Sequence, residues 1–200
     1  MSKSPDPNQF DEEFFDRFYN RPETRASSPE EFARLSRFVL SYLEYLEIPL
    51  NEVLDLGCGL GRWREALATH DGTIAYTGVD VSPYLCRQYG WIEASVSDFM
   101  SRRRYDLVIC QDVLPYLTRR GIRDALANIA RHCRGAVYLQ VLTEEDWDEN
   151  HCDPDRTDQS MNRIEAAWYR KAISRHFTTC GGGLFVPKNS DVVLWELERA

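Results

Sequence analysis

The chain has 200 residues, of which 43% are hydrophobic, and it carries a formal net charge of −8 at pH 7. This length suits one domain with a sizeable core and is too short for two domains of ordinary size. The acidic balance disfavours nucleic acid as a partner, because binding through phosphates requires a concentrated basic surface. We therefore expect one globular unit whose partner is small or uncharged.

The six cysteines and the N-terminal sequence bear on location. No C-x-x-C pair occurs, and the cysteines are scattered through apolar stretches, as expected for reduced thiols. Acidic residues stand where a secretory signal would carry an apolar core, and Glu44 and Glu47 interrupt the apolar stretch 38–50. We expect a cytoplasmic protein that neither spans nor enters a membrane.

The first 27 residues are expected to form a covering segment, with the main domain over residues 28–200. Residues 1–7 are polar and contain two prolines. Four phenylalanines then recur at helical spacing and predict a short helix with an aromatic face: Phe10, Phe14, Phe15 and Phe18.

A strong helix signal opens the main domain. Ser28 can cap a helix whose first position is Pro29 and whose third is Glu31. We expect this helix to end before Pro49. Its apolar stripe is formed by Phe32, Leu35, Val39, Tyr42 and Leu46.

Short apolar runs rich in branched residues then alternate with stretches of helical period. The runs cover residues 53–56, 74–79, 105–110 and 136–142. One intervening helix is marked by Ile122, Leu126 and Ile129. This alternation predicts a doubly wound α/β fold with a mostly parallel sheet.

The composition changes in residues 144–158, which hold eight acids and one arginine. The spacing of these acids with His151 and Cys152 fits neither a calcium loop nor a zinc site. We expect a solvated acidic loop or a lid, and no metal.

The C-terminal part is expected to hold one more helix and two strands. The helix is marked by Ile164, Trp168, Ala172 and Ile173, and the strand candidates are residues 178–186 and 192–197. The first of these crosses a run of three glycines, 181–183, which is typical of a turn or a bulge.

The stretch VLDLGCGLG, residues 53–61, places three glycines at alternate positions behind an apolar strand. A glycine-rich turn between a strand and a helix N-terminus lets backbone N–H groups face a ligand. The next predicted strand delivers Asp80 at its carboxyl end, where a carboxylate can accept both hydroxyls of a ribose. These features together predict a nucleoside site.

The glycine spacing bears on which nucleoside cofactor binds. A dinucleotide site requires G-x-G-x-x-G, whereas this chain has G-x-G-x-G, and no G-K-[ST] of a phosphate loop follows. The loop therefore lacks the sequence features that bind phosphate groups. A dinucleotide-dependent oxidoreductase is kept as a rival interpretation.

The motifs resemble those of the class I S-adenosylmethionine-dependent methyltransferases. They are VLDLGCGLG, then TGVDVS at 77–82, SVSDF at 95–99 and YDLVICQDVLPYL at 105–117, and the resemblance covers residues 50–142. It implies a seven-stranded Rossmann-like sheet whose last strand is antiparallel. It also implies S-adenosylmethionine as the cofactor and S-adenosylhomocysteine as the product.

The resemblance assigns roles to individual residues. The loop glycines would contact methionine and ribose, Asp80 the ribose hydroxyls, and Asp98 the adenine amino group. Arg25 and Arg62 are candidates for holding the cofactor carboxylate. The predicted cofactor-binding set is Arg25, Asp55, Gly57, Cys58, Gly59, Gly61, Arg62, Asp80, Val81, Asp98, Phe99, Gln111 and Asp112.

The acceptor side is less defined. Many small-molecule members of the family carry a histidine pair where this chain has Pro115 and Tyr116. No general base is therefore identified, and Asp112 and Tyr116 are the candidates for catalysis. Residues expected to roof the acceptor pocket are Phe14, Phe18, Tyr19, Arg25, Trp147, His151, Trp168 and Tyr169.

We predict a methyltransferase that acts on an oxygen or nitrogen nucleophile of a small molecule. The chain lacks the N-P-P-[YF] sequence of members that methylate amides or adenine. The alternatives are a non-catalytic S-adenosylmethionine-binding regulatory protein and a protein or RNA methyltransferase. The sequence does not fix an oligomeric state.

Overall fold

The computed structural model of the chain describes residues 6–149 and 151–195, and a seven-stranded sheet lies at its centre. The strands are β1 (Glu52–Leu56), β2 (Ala75–Asp80), β3 (Ile92–Glu93), β4 (Tyr105–Gln111), β5 (Cys133–Gln140), β6 (Phe177–Gly181) and β7 (Leu184–Pro187). Their spatial order is β3-β2-β1-β4-β5-β7-β6, and β7 is antiparallel to both of its neighbours. The predicted fold class is confirmed.

Seven α-helices within the described residues surround the sheet and connect its strands. They are α1 (Glu12–Phe15), α2 (Pro29–Tyr45), α3 (Arg62–His70), α4 (Pro83–Tyr89), α5 (Arg119–His132), α6 (Glu144–Asp148) and α7 (Ala166–Ile173). Short 3-10 turns lie at Pro7–Gln9 and Leu114–Tyr116.

The two faces of the sheet are covered by different helices. Val53 and Leu107 pack with α2 and α3, whereas their chain neighbours Leu54 and Val108 pack with α5 and α7. All four side chains are fully buried. Successive side chains of a strand point to opposite faces, so two apolar layers are the expected result.

The predicted start of α2 is confirmed. The Ser28 hydroxyl accepts a hydrogen bond from the Glu31 amide at 3.1 Å, and the Glu31 carboxylate accepts one from the Ser28 amide at 2.7 Å. Both are reciprocal contacts of a capping box. The helix ends at Tyr45, before Pro49 as predicted.

The aromatic N-terminal segment folds differently from the single helix that was predicted. α1 has only four residues and continues into one π-helical turn, Asp16–Asn20. Thr24 then donates its hydroxyl to the Arg17 carbonyl and turns the chain back toward α2. Phe10, Phe15 and Phe18 are nevertheless buried, as their spacing predicted.

The prediction for the last strands was wrong in detail. The candidate strand 178–186 is a hairpin of β6 and β7, because Gly181, Gly182 and Gly183 all have left-handed backbone angles and turn the chain. Residues 192–195 form no strand, and residues 196–197 of that candidate lie outside the described residues.

Two further properties of the described part of the chain are relevant to function. It contains no helix long and apolar enough to cross a bilayer. It also contains no group of three or more histidine, cysteine or acidic side chains placed to hold a metal ion.

Candidate active site

The glycine loop leaves the carboxyl end of β1 and leads into α3. Its first two amides, those of Gly57 and Cys58, donate to the Val79 carbonyl at 2.8 and 3.1 Å. The loop is thereby fastened to the end of β2, the strand that pairs with β1. This edge is where ligands bind in open parallel sheets.

Two of the loop glycines are required for different reasons. A Cβ on Gly57 would lie 2.1 Å from Cγ2 of Val113, so this position must lack a side chain for the loop to pack. A Cβ on Gly59 would have only the Phe15 ring near it, at 4.0 Å. The side of the Gly59 Cα atom where a side chain would stand therefore faces open space.

Trp91 packs behind the loop, a role that the sequence analysis did not predict. Its indole N–H donates to the Gly59 carbonyl at 2.9 Å. A Cβ on Gly61 would lie 2.8 Å from the same ring. The contact joins residues 32 positions apart, so no local pattern could have predicted it.

Asp80 connects the loop to the second strand. One carboxylate oxygen accepts from the Gly59 amide at 2.8 Å, and the other accepts from the Ser82 amide at 2.9 Å. The side chain is buried, and this burial raises the pKa of Asp80 despite the two backbone donors. Its orientation is fixed, and each oxygen keeps a further lone pair for a ligand.

Asp55 lies behind the loop. Its carboxylate accepts a hydrogen bond from the Tyr76 hydroxyl at 2.7 Å and is 2% exposed. Burial raises the pKa of Asp55 to about 7, although the Tyr76 hydroxyl opposes the shift.

A cavity of about 320 Å³ opens in front of the loop. Its floor is formed by the loop and the carboxyl ends of β2 and β4. Its roof is formed by aromatic residues of the N-terminal segment, Phe10, Phe14, Phe15 and Tyr19. A second cavity of about 730 Å³ lies at the opposite end of the sheet, beside Asp106 and Arg134, and contains none of the predicted residues.

The predicted residues divide into those on the cavity and those away from it. The cavity brings together Gly57, Gly59, Asp80, Val81, Asp98, Gln111, Asp112 and Tyr116. Asp98 is exposed at this position, whereas the others are at least partly buried. Six predicted residues do not line the cavity: Arg25, Asp55, Cys58, Gly61, Arg62 and Phe99.

Phe99 belongs to the core. Its ring is 4% exposed and packs against His132 at a centroid distance of 5.2 Å. Its carbonyl accepts from the Asn128 amide group at 2.9 Å. The side chain therefore supports the loop that carries Asp98.

Arg62 holds the N-terminal segment in place. Its guanidinium donates to the Tyr19 carbonyl at 3.0 Å and to the Ser27 hydroxyl at 3.0 Å. Arg156 donates to the Arg25 carbonyl at 2.9 Å and binds the same segment from another side. The Nε of Arg25 itself is buried and has no hydrogen-bond partner among the described residues.

Asp112 is the most unusual group on the cavity. Its backbone is left-handed, with φ of 56°, and its amide donates to the Gln140 carbonyl at 2.8 Å. The Oδ1 atom is buried and has no partner within residues 6–149 and 151–195. Burial raises the pKa of Asp112 to about 7.

Gln111 precedes Asp112 and is fixed by an indole. Its side-chain oxygen accepts from Trp63 Nε1 at 2.8 Å. The Gln111 side chain also hydrogen-bonds the Asp112 carboxylate, so both ends of its amide group are engaged within the protein.

Tyr116 closes the far side of the cavity, and its hydroxyl donates to Asp158 at 3.0 Å. Asp158 comes from the acidic segment 144–158. The sequence had not assigned it a role, because the contact spans 42 residues.

Of the residues expected to roof an acceptor pocket, only Phe14 and Tyr19 line the cavity. Phe18 and Arg25 lie in the N-terminal segment away from it. The prediction placed four other side chains there, and these are engaged elsewhere. They are Trp147 beneath Arg163, Trp168 beside Arg119, Tyr169 in the core, and His151, exposed near Asp146 and Glu149.

The sequence of residues 53–135 matches the family described as methyltransferase domain. The sheet order and the antiparallel β7 agree with this match. In this part of the chain the protein is therefore similar to the methyltransferase family. A search of curated proteins gave no match.

Solved structures share the fold of this chain. The plantazolicin methyltransferase BpumL, crystallised with a monoazolic desmethylPZN analogue and SAH, matches 74% of this chain with a TM-score of 0.61 and 15% identity. The match covers 63% of BpumL, so the chain spans less than two thirds of that protein.

Two further structures with this fold are named as N-methyltransferases. NodS from Bradyrhizobium japonicum WM9, in complex with S-adenosylhomocysteine, has a TM-score of 0.63 and 16% identity over 92% of this chain and 100% of NodS. The sugar N-methyltransferase KedS8 from a Streptoalloteichus species has a TM-score of 0.51 and 22% identity over 57% of this chain and 50% of KedS8. At such identities the likeness shows the fold.

Proposed function

We propose that this protein is an S-adenosylmethionine-dependent methyltransferase that methylates a small molecule. The observation that carries the proposal is the meeting of Asp80, Asp112 and the glycine loop in one cavity of a methyltransferase domain. The solved structures with this fold that were crystallised with S-adenosylhomocysteine support the choice of cofactor.

The residues on the cavity fit this cofactor. The orphaned Oδ1 of Asp112 can accept from an ammonium group, which supplies the partner that the described residues do not provide. Gly59 leaves its backbone open to a close approach of the methionine part. Asp80 is oriented to accept the ribose hydroxyls, as acids at this position of nucleoside sites do.

Other residues on the cavity can contact the adenine part of the cofactor, judged from where they lie. Val81 is partly buried beside Asp80 and can pack on the adenine face, and Asp98 at the cavity mouth can accept from the adenine amino group. Gln111 would hold Asp112 in position through the hydrogen bond between their side chains. Asp55, Cys58, Gly61 and Phe99 would then act through the shape of the loop.

When bound, the cofactor supplies a methyl group on a cationic sulfur, and methyl transfer leaves a neutral thioether that needs no acid. The protein must align the acceptor with the methyl carbon and exclude water. Phe10, Phe14, Phe15 and Tyr19 roof the cavity and can exclude water. Arg62 and Arg156 hold that roof closed.

Three observations favour a small acceptor. The cavity lies at the lower end of the usual size of ligand pockets, about 300–1,000 Å³. The chain is acidic overall, which disfavours nucleic acid. KedS8 is named as a sugar methyltransferase and BpumL acts as a plantazolicin methyltransferase, and both share this fold.

The cofactor assignment can be tested by calorimetry. We expect S-adenosylmethionine and S-adenosylhomocysteine to bind and NAD not to bind. Asp80→Asn should weaken binding roughly 10- to 100-fold, because a charge-assisted hydrogen bond contributes about 1.5–3 kcal/mol. Asp71→Asn removes the same charge at an exposed site and serves as the control. Binding of NAD alone would overturn the proposal.

A screen for S-adenosylhomocysteine release over small amines and alcohols tests catalysis. Cofactor binding without turnover, in a protein whose roof stays closed to every acceptor, would favour a regulatory protein that binds S-adenosylmethionine.

A further inference from the structure

The pair formed by Tyr116 and Asp158 is a polar arrangement at the cavity that the cofactor contacts leave unused. Tyr116 lines the cavity and donates its hydroxyl proton to Asp158. Its ring packs edge-on against Phe10 of the roof, with centroids 5.1 Å apart. The phenol oxygen is thus fixed at the junction of wall and roof.

Asp158 is held in place by its own segment. The Ser160 amide and hydroxyl donate to its carboxylate at 2.9 and 2.8 Å. Asn162 ties the segment to the Tyr116 turn, because its backbone and side-chain nitrogens donate to the Pro115 carbonyl at 2.8 and 3.1 Å. The pairing with Tyr116 is therefore built into the fold.

The charges around the roof are strongly negative. The pKa of Tyr19 is raised by burial and by three nearby carboxylates, those of Asp80, Asp112 and Asp158. The opposing cation, Arg62, is occupied by backbone and hydroxyl oxygens. An anionic acceptor would be repelled here, whereas a cationic group over aromatic rings and near carboxylates is stabilised.

Two of the three carboxylates have partners in the proposed cofactor, ribose for Asp80 and the ammonium group for Asp112. Asp158 remains, and it reaches the cavity through the Tyr116 hydroxyl. We propose, on the basis of the methyltransferase function, that Tyr116 and Asp158 form the acceptor subsite and that the acceptor is an amine.

In this subsite the amine N–H donates to the phenol oxygen of Tyr116, whose own proton is held by Asp158. An acceptor that arrives as an ammonium ion loses one proton to Asp158 through the Tyr116 hydroxyl. The nitrogen lone pair then forms the N–CH₃ bond while the S–CH₃ bond breaks and its electron pair stays on sulfur. Asp158 passes the first proton to solvent, and the methylated product leaves as a secondary ammonium ion that keeps its two N–H protons.

The chemistry of the pair distinguishes an amine from an alcohol. A neutral amine is already a nucleophile, so a carboxylate needs to remove only the ammonium proton. An alcohol would require a much stronger base, and the pKa of Tyr116 is raised by burial, which makes its phenolate inaccessible near neutral pH.

The experiment uses three probes of the same shape, phenethylamine, 2-phenylethanol and phenylacetate, titrated calorimetrically into the protein saturated with S-adenosylhomocysteine. We expect the amine to bind roughly 10- to 100-fold more tightly than the alcohol, and phenylacetate not to bind. Equal binding of the amine and the alcohol, or no binding of any probe, overturns the amine subsite.

Variants then assign the preference to the pair. Tyr116→Phe keeps the ring and removes the hydroxyl, and Asp158→Asn keeps the shape and removes the charge. Both should abolish the preference for the amine, and Asp158→Glu should restore part of it. Asp155→Asn, an exposed acid of the same segment, is the matched control and should bind like the wild type. An unchanged preference in Asp158→Asn contradicts the assignment.

Affinity for S-adenosylhomocysteine is measured for every variant, which separates the two hypotheses. If the wild type fails to bind S-adenosylhomocysteine, the proposed function fails. A different result would overturn only the amine subsite. In that case S-adenosylhomocysteine binds, the methyl group is transferred to the alcohol probe, and Asp158→Asn leaves the KM for that probe unchanged.

Discussion

Asp112 combines a left-handed backbone with a buried carboxylate oxygen that lacks a partner among the described residues. Such a group lowers the stability of the empty protein, because burial removes the carboxylate from water without a compensating hydrogen bond. A ligand ammonium group would supply that bond. Asp112 therefore lowers the stability of the protein without ligand and raises its affinity for the ligand, as residues of functional sites often do.

Asp112→Asn tests this exchange. At pH 8 we expect the variant without ligand to be more stable than the wild type by about 1–2 kcal/mol, because a buried charge is removed. Its affinity for S-adenosylhomocysteine should fall at least about tenfold. Thermal unfolding and calorimetry on the same samples measure both.

At pH 5 the carboxylate of wild-type Asp112 is protonated, since burial raises its pKa to about 7. The stability difference between the two proteins should then disappear. A difference of the same size at pH 5 and pH 8 would show that the charge is not its cause.

At this scale the structure brings several of the predicted residues together. Gly57, Gly59, Asp80 and Asp112 all reach the cavity, because each follows directly from a strand end. Trp91 and Asp158 were missed, since they act through contacts 32 and 42 residues away. Arg62 was predicted to bind the cofactor carboxylate, but its hydrogen bonds go to the N-terminal segment.

The glycine loop offers a matched pair of substitutions. Gly59→Ala places a Cβ in open space, so we expect the fold to survive with a loss of about 1–2 kcal/mol from the left-handed backbone. The added Cβ would have no backbone atom within 4 Å, so it should not disturb the packing of the loop. We expect the methyl group to obstruct the ligand instead. Calorimetry with S-adenosylhomocysteine should show a weaker complex.

Gly57→Ala should behave differently. Its Cβ would collide with Val113, which adds an overpacking penalty of about 1–3 kcal/mol to the backbone strain. Urea unfolding should therefore rank Gly57→Ala below Gly59→Ala in stability. The reverse order would mean that Val113 moves aside and that the loop is not tightly packed.

The N-terminal segment forms a second element with a testable function. Arg62→Ala removes the hydrogen bonds to Tyr19 and Ser27, and we expect the roof to open more often. Limited proteolysis should cut residues 10–27 faster, and S-adenosylhomocysteine should dissociate faster. Arg37→Ala, an exposed arginine on α2, is the control. Equal cleavage of the two variants would exclude Arg62 as the fastening residue.

Element prediction succeeded where the pattern was long. β1, β2, β4 and β5 were expected from apolar runs, and α2 from its capping box. β3 was missed because it has only two residues, both exposed, and pairs at the edge of the sheet. The candidate strand 178–186 is the β6–β7 hairpin, and its glycine run forms the turn that was one of the two possibilities indicated by its composition.

For the molecule as a whole, buried acids set the pH dependence of stability, and Asp80 acts in the same direction as Asp55 and Asp112 because burial raises its pKa too. Burial raises the pKa of both Asp55 and Asp112 to about 7. Between the unfolded value of 3.8 and about 7, the folded protein binds a proton that the unfolded chain does not. The free energy of unfolding must therefore fall as pH rises through this range.

We expect the protein without ligand to be more stable at pH 5 than at pH 8, by about 1–3 kcal/mol. His176 works in the opposite direction, because burial lowers its pKa, but its effect is confined to pH values below its ordinary pKa of 6.5. Urea unfolding at both pH values measures the difference. In the double variant Asp55→Asn, Asp112→Asn the slope should flatten, and an unchanged slope would place its origin elsewhere.

The N-terminal segment is synthesised before every group that fastens it. Ser82 binds the Phe10 carbonyl across 72 residues, and Arg156 binds the Arg25 carbonyl across 131. Contacts of such sequence separation form late, since the intervening chain must first be ordered. The segment that closes the cavity is thus synthesised before the sheet, and we expect it to dock only after the sheet has formed. Until then a nascent chain would expose the phenylalanines of this segment.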